Sequence, residues 1–272
     1  MVNKKYLSYL RCPLCHSPFE IVNKSLICQS GHCFDIAKKG YINFSQRRKD
    51  RVYGHDLFKN RAEVFEMGLF VPIITNLNQL ISEYIFPANS ILLDVGCGEG
   101  YYTKNINYLN CAGRVGLDLA KEGIMMASTK DKEGLYVVAD LANIPIADDS
   151  VGLILDIFTP ANYKEFKRVL MPEGIIIKAI PREGYLKELR KVASGLLRKE
   201  EYDSSEVGQY TERNISIMAS KRVSYTKSIS IDEAKKIASM TPMLANVDIN
   251  SLDLSLIDKI TIDEEIILGK VK

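Results

Sequence analysis

Residues 91–100 read Ile91-Leu92-Leu93-Asp94-Val95-Gly96-Cys97-Gly98-Glu99-Gly100. The first half is an apolar run of strand length, bounded by a glycine loop. Such a run reads as a strand buried on both faces. The second half alternates glycine with other residues, and the pattern predicts a helix over Tyr101–Leu109. Strand, glycine loop and helix form the opening unit of an α/β sheet. Ligands in such sheets bind beyond the carboxyl ends of the strands. Glycine lets the backbone turn sharply there and approach a ligand closely. The spacing is Gly-x-Gly-x-Gly, not the Gly-x-Gly-x-x-Gly that cradles a pyrophosphate.

Downstream the same unit recurs. Arg114–Asp118, Leu135–Ala139, Val151–Leu155 and Gly174–Ala179 read as strands, with helices over Ala120–Thr129 and Asn162–Leu170. Strands alternating with helices call for a mainly parallel sheet covered on both faces. A helix is expected over Tyr185–Leu197. Later pieces, Val223–Ile229, Ile231–Ser239 and Glu264–Val271, complete the sheet with an antiparallel end. Asp94, Asp118 and Asp140 each stand at the end of a strand. Asp118 follows Gly100 at the distance where an acid accepts from ribose hydroxyls. Each could equally cap the loop or helix that follows it.

The glycine loop with its preceding acid resembles the first motif of the class I methyltransferases, which bind S-adenosylmethionine. That resemblance implies a Rossmann-like α/β sheet. It places the cofactor on Asp94, Gly96, Cys97, Gly98, Glu99, Gly100, Tyr101 and Tyr102, on Asp118 and Leu119, and on Asp140 and Leu141.

Upstream lies a different chemistry. Cys12-x2-Cys15-x12-Cys28-x3-His32 supplies thiolate and imidazole donors in close pairs, the set that tetrahedral zinc takes. Cys33 competes with His32 for the fourth place, and His16 lies beside Cys15. Four protein ligands leave no open position, so the metal is expected to be structural. Two strand-like pieces, Phe19–Val22 and Ser25–Cys28, flank an Asn23-Lys24 turn. Residues 1–44 therefore read as a small zinc-binding module. Residues 45–84 read as a basic linker followed by two helices broken near Gly68–Pro72. Residues 85–272 read as the cofactor-binding domain. Residues 1–60 carry 11 Lys and Arg against 4 Asp and Glu, whereas the remainder is net acidic. This asymmetry points the N-terminal part toward a polyanion, with Arg47, Arg48, Lys49 and Arg51 as phosphate contacts.

Of the 272 residues, 46% are hydrophobic and 26% charged, values ordinary for a globular protein. No apolar run approaches the roughly 20 residues of a membrane span, and no signal-peptide core opens the chain. The expected setting is cytoplasmic, with no membrane.

Both halves together resemble one family, the RlmA-type 23S ribosomal RNA guanine-N1 methyltransferases. The resemblance runs through Cys12-Pro13-Leu14-Cys15 and Gly31-His32-x-Phe34-Asp35-x-Ala37-Lys38-x-Gly40-Tyr41-x-Asn43. It continues through Arg61…Gly68-x-Phe70-x-Pro72, Gly96–Thr103, Phe158-Thr159-Pro160-Ala161 and Met240-Thr241-Pro242. The stretch Phe158–Tyr163 is similar to the Gram-positive subgroup. The resemblance implies His32 as the fourth zinc ligand, methylation of a guanine in a 23S rRNA hairpin loop of domain II, and a homodimer with a cleft for that hairpin. One departure is Tyr185-Leu186-Lys187-Glu188-Leu189, where members often carry His-Leu-x-Glu-Leu. Guanine N1 must lose a proton, and Asp156 near the fourth strand is the local candidate to accept it, its other reading being a loop cap or a salt-bridge partner. Phe158 is expected to stack on the base, with Pro160 shaping the loop. Two other readings compete: a methyltransferase for a small molecule, and a non-catalytic zinc- and cofactor-binding assembly factor.

Overall fold

The structure, a computed structural model, describes residues 3–45, 54–108, 111–197 and 205–272. Arg47, Arg48, Lys49 and Arg51 lie outside the described residues.

β1 (Phe19–Val22) and β2 (Ser25–Cys28) pair antiparallel, with Phe19 opposite Cys28. Asn23 opens their turn at φ 57°, a left-handed backbone that a short polar side chain tolerates. β3 (Cys33–Asp35) completes a three-stranded sheet. Phe19, Phe34 and Phe44 pack together with ring centroids 4.9–5.7 Å apart. β4 (Ile42–Asn43) then leaves the module and joins the edge of a second, larger sheet.

Two helices follow, α1 (His55–Glu66) and α2 (Val71–Ser82), bent by 76° at their junction. Gly68 turns the chain at φ 74°, and Pro72 sits in the first turn of α2, where its missing N–H has no cost. Among the described residues, no single helix is long and apolar enough to cross a membrane.

The larger sheet begins with the opening stretch as β5 (Ile91–Val95), followed by α3 (Tyr101–Asn105). Next come β6 (Gly113–Asp118), α4 (Lys121–Lys130), β7 (Leu135–Val138), β8 (Val151–Ile157), α5 (Tyr163–Val169), β9 (Leu170–Pro181) and α6 (Lys187–Val192). The chain ends with α7 (Ser205–Asn214), β10 (Ile215–Ser228), α8 (Ile231–Met240) and β11 (Lys259–Val271). The strand order is β10-β11-β9-β8-β5-β6-β7-β4. β11 runs antiparallel to β9 and β10; the other pairings are parallel. β5 and β8 are neighbours from which the chain winds outward in opposite directions. That is a topological switch point, where a crevice opens for ligand.

Strand alternation divides the core. Leu92, Leu155 and Ile177 face α1, α2 and α8, while Ile91, Leu93 and Ile154 face α5 and the N-terminal residues Tyr6 and Leu10. Three elements differ from the sequence reading. The helix after the glycine loop stops at Asn105, because Ile106 is extended. The helix expected over Tyr185–Leu197 shrinks to α6, since Leu186 takes a left-handed backbone at φ 52°. β10 starts at Ile215 rather than Val223, its early residues being largely exposed.

Candidate active site and metal centre

In the N-terminal module two tight turns present four ligands. His16 bends the first at φ 63°, its N–H donating to the Cys12 carbonyl at 2.8 Å. Gly31 bends the second at φ 81°, its N–H donating to the Cys28 carbonyl at 2.9 Å. Their geometry brings Cys12, Cys15, Cys28 and His32 together, with ligand atoms all within 4.8 Å of one another. Cys15 Sγ and Cys28 Sγ are 3.5 Å apart, and His32 Nδ1 lies 3.5 Å from Cys12 Sγ and 3.4 Å from Cys28 Sγ. Zinc bonded to thiolate at about 2.3 Å and imidazole at about 2.0 Å spaces tetrahedral ligand atoms about 3.5–3.8 Å apart. The four side chains fit that ion. Cys33 is exposed on β3 and His16 serves the turn, so neither joins the group.

The second site is a cavity of about 830 Å³ at the carboxyl ends of β5, β6, β7 and β8, roofed by α1 and the end of α8. Gly96 shows why its position is glycine. It takes φ 68°, and a Cβ there would sit 2.0 Å from Thr159 Oγ1, so the loops after β5 and β8 meet with no room for a side chain. Asp118 organises the same loop, accepting from Gly98 N–H at 2.9 Å and from Ala120 N–H at 2.7 Å. Asp118 thus caps the loop while it lines the cavity. Thr103 Oγ1 donates to Asp94 Oδ2 at 2.5 Å, fixing the acid before the glycines. Asp140 accepts from Ala142 N–H at 2.9 Å.

Asp94, Gly96, Cys97, Glu99, Tyr102, Asp118, Leu119, Asp140, Leu141, Phe158 and Pro160 all line this cavity. Gly98, Gly100 and Tyr101 do not. Gly98 turns its N–H to Asp118, Gly100 opens α3, and the Tyr101 ring stacks on Phe65 at 3.9 Å over a smaller hollow behind the loop. Asp156 is the clear correction. It is fully buried, pairs with Lys178 Nζ at 2.7 Å, and is absent from the cavity wall. Strand parity explains it: Leu155 and Ile157 face the side of α1, so Asp156 points to the other. Lys178 also donates to the Thr159 carbonyl at 3.0 Å, so the pair holds the Phe158–Pro160 turn in place. Phe158 itself sits at φ 57°, with its ring 5.4 Å from that of Tyr185.

Several wall residues read from the sequence only as helix core or as motif members without a role. They include Phe58, Arg61 and Phe65 on α1, Phe70 after it, and Met240-Thr241-Pro242 closing α8. Arg61 donates to the Met240 carbonyl at 3.4 Å, tying the two roofing helices together. Its guanidinium works against the burial that raises the Glu99 and Asp118 carboxyls. Burial pushes Asp94 and Glu99 each up to about 7. The wall is thus apolar with a cluster of reluctantly ionised acids, a setting that favours a cation.

A parallel sheet with a glycine loop at its switch point, an acid at the end of the next strand and a four-ligand metal turn define an S-adenosylmethionine-dependent methyltransferase with an N-terminal zinc ribbon. Residues 10–45 match the family described as "RlmA, N-terminal", and residues 93–178 match "Methyltransferase domain". The chain is 33% identical, over 96% of its length and 97% of the relative's, to "Putative 23S rRNA (guanine-N(1)-)-methyltransferase YxjB" of Bacillus subtilis. It is 26% identical to the 23S rRNA (guanine(748)-N(1))-methyltransferase of Streptomyces fradiae, over 89% of this chain and 87% of that one. A malonyl-[acyl-carrier protein] O-methyltransferase of Pectobacterium atrosepticum matches at 32% over only 39% of this chain and 45% of its own. The chain belongs to the RlmA-type 23S rRNA (guanine-N1)-methyltransferase family.

Proposed function

We propose that the protein methylates N1 of a guanine in 23S rRNA, and that the target lies in a hairpin loop of domain II. The observation that carries this reading is the near full-length relative at 33% identity, which spans ribbon and methyltransferase sheet alike. Bound S-adenosylmethionine supplies an electrophilic methyl group. Asp118 and Asp140 offer acceptors to its ribose and adenine, and the acids around the glycine loop favour its positive charge. A cavity of about 830 Å³ is within the upper range for small-ligand sites and leaves room for a base beside the cofactor. A guanine must leave its stack to enter, and Phe158 on the wall offers it an aromatic face. Alignment of N1 with the methyl group is the main work of such a site. The zinc ribbon and the basic segment after it grip the RNA backbone in this reading. A homodimer is part of it, as is action in the cytoplasm, where the substrate is.

N1-methylguanine cannot pair, so reverse transcription stops beside it. 23S rRNA from cells lacking the protein should read through, and incubation with protein and S-adenosylmethionine should create one stop in domain II. Incorporation of methyl label without any stop or N1-methylguanine by mass mapping would reject the reading. Sedimentation at twice the 30.6 kDa chain mass supports the dimer.

A further inference from the structure

Guanine N1 carries a proton that must go somewhere, and the expected acceptor, Asp156, faces the wrong side of the sheet. Three acids on the cavity wall hold the loops around it. Asp94 accepts from Thr103, Asp118 from two backbone N–H groups, and Asp140 from its own loop. Glu99 sits with Arg61 and Asp118 at the glycine loop. The Tyr102 hydroxyl, like Glu99 Oε2, is buried on the cavity wall with no hydrogen-bond partner among the described residues; unlike Glu99 it has no neighbouring guanidinium among them and has a second unpartnered acid behind it. Behind it lies Glu264 on β11, fully buried, with neither carboxyl oxygen partnered.

Ladder register places Glu264 beside Pro181, which lines the cavity. Alternation with Ile262 and Ile266 turns it to the face that holds Tyr102. The two groups sense each other: the Glu264 charge raises the Tyr102 and Tyr225 hydroxyls further than burial alone does. The ionisable groups around it are Asp263 on its own strand, Tyr102 from α3, Tyr225 from β10, Tyr185 from the turn before α6, and Tyr101 beyond them. Asp263 is itself held by Arg222 at 2.8 Å. A buried carboxyl with no partner is costly, and a site of pure packing would hold an apolar side chain.

We propose that Tyr102 meets guanine N1 and that Glu264 behind it is the positioning residue that draws the N1 proton out of the site; this rests on the reading of the protein as a guanine-N1 methyltransferase. The N1 electron pair forms the bond to the methyl carbon as the methyl–sulfur bond breaks, its pair remaining on sulfur. The N1 proton passes to Tyr102 Oη, and the Tyr102 proton to a Glu264 carboxylate oxygen, once substrate closes the two groups, unbonded in this structure, to hydrogen-bond distance. Sulfonium and carboxylate charges are both consumed, leaving neutral sulfide, neutral Tyr102 and the Glu264 acid. Burial pushes Glu264 up to about 8, which matches a proton acceptor to a neutral working pH.

The test uses full-length protein, saturating S-adenosylmethionine and 23S rRNA transcribed in vitro, from pH 6 to 9.5. Wild-type kcat should rise about tenfold per pH unit and level near pH 8. Glu264→Gln should lose about 10²-fold or more, lose the pH dependence, and keep its cofactor affinity. Tyr102→Phe should lose the same limb, and Glu264→Asp should restore it at a lower rate. A readout free of activity is the infrared carbonyl band of a protonated acid. It should be present at pH 6, fade through pH 8, and stand out in the wild-type-minus-Glu264→Gln difference at pH 6. Wild-type pH dependence in Glu264→Gln, or a carboxyl already ionised at pH 6, overturns the proposal alone. Wild-type protein that methylates no 23S rRNA overturns the functional reading and this proposal together. Should Glu264→Gln not fold, the pH profile of Tyr102→Phe decides.

Discussion

Asp94 and Glu99 hold protons more tightly in the fold than in the unfolded chain, because each is buried without a full complement of partners. A positively charged sulfonium ligand reverses that preference by favouring the ionised acids. Binding of S-adenosylmethionine near pH 6.5 should therefore release protons, and affinity should rise from pH 6 to 8. Calorimetry in two buffers of different ionisation heat measures the release. S-adenosylhomocysteine, with no sulfonium charge, should release fewer, and equal release by both ligands would count against the charge argument. Asp118→Ala removes an acceptor together with the partner of Gly98 and Ala120, so cofactor binding should weaken by about 1.5–3 kcal/mol. The same burial sets a stability slope. For Asp94, Glu99 and Glu264 the folded form binds the proton better, up to about 7, 7 and 8. Their contribution is fully present below about pH 4 and is lost as pH rises through 7–8. Paired acids such as Asp131 and Glu165 are lowered and act below that window. Urea unfolding of the cofactor-free protein should thus show lower stability at pH 8.5 than at pH 6, with a smaller loss in Glu264→Gln.

Elements whose apolar pattern is local were legible. The strand over Ile91–Val95 and the ribbon strands over Phe19–Val22 and Ser25–Cys28 stand at the residues where the pattern put them. α1 and α2 were visible as a broken helical stretch, but not as a roof, because periodicity says which face is buried and not what lies opposite. Phe58, Arg61 and Phe65 were missed as wall residues for that reason. β4 is two residues long and owes its existence to β7, a partner far along the chain. The Asp156 error was one of parity: a strand end offers two faces, and only the packed sheet shows which holds the site. The glycine loop gives this scale its test. Gly96→Ala forces a Cβ against Thr159 in a backbone that strains any side chain. The loop after β5 and the turn carrying Phe158 must then part. Cofactor binding should fall by tenfold or more while the zinc ribbon, remote from the clash, keeps its metal. Calorimetry and metal analysis on one preparation check both.

At the scale of the molecule the two sites are joined by contacts, not by a tether alone. Asn143 Nδ2 donates to the Pro13 carbonyl inside the first metal turn, and Asn143 lies just beyond Asp140 and Leu141 of the cofactor wall. Arg11 pairs with Asp148 at 2.9 Å, and Tyr6 Oη donates to the Glu133 carbonyl at 2.7 Å. A ribbon with so small a core depends on its ion for folding. Zinc removal should therefore loosen these contacts, lower Tm, and weaken cofactor binding, whereas Asn143→Ala should weaken the coupling with the metal retained. A chelated protein with unchanged cofactor affinity would show the halves to be independent. Charge distributes the other task. Residues 1–60 hold the basic excess while the rest of the chain is net acidic, so in the proposed function phosphate contacts are expected at the N-terminal side. RNA affinity should fall with salt as counterions are released, each contact contributing about 0.7–0.9 to the slope. Neutralising Arg47, Arg48, Lys49 and Arg51 together should flatten the slope by a few units at most, and leave cofactor affinity alone, because the glycine loop is a separate element. Hairpin binding across a salt series for wild type and the fourfold variant gives both slopes. Coincident slopes would move RNA recognition from this arm to the walls of the cleft.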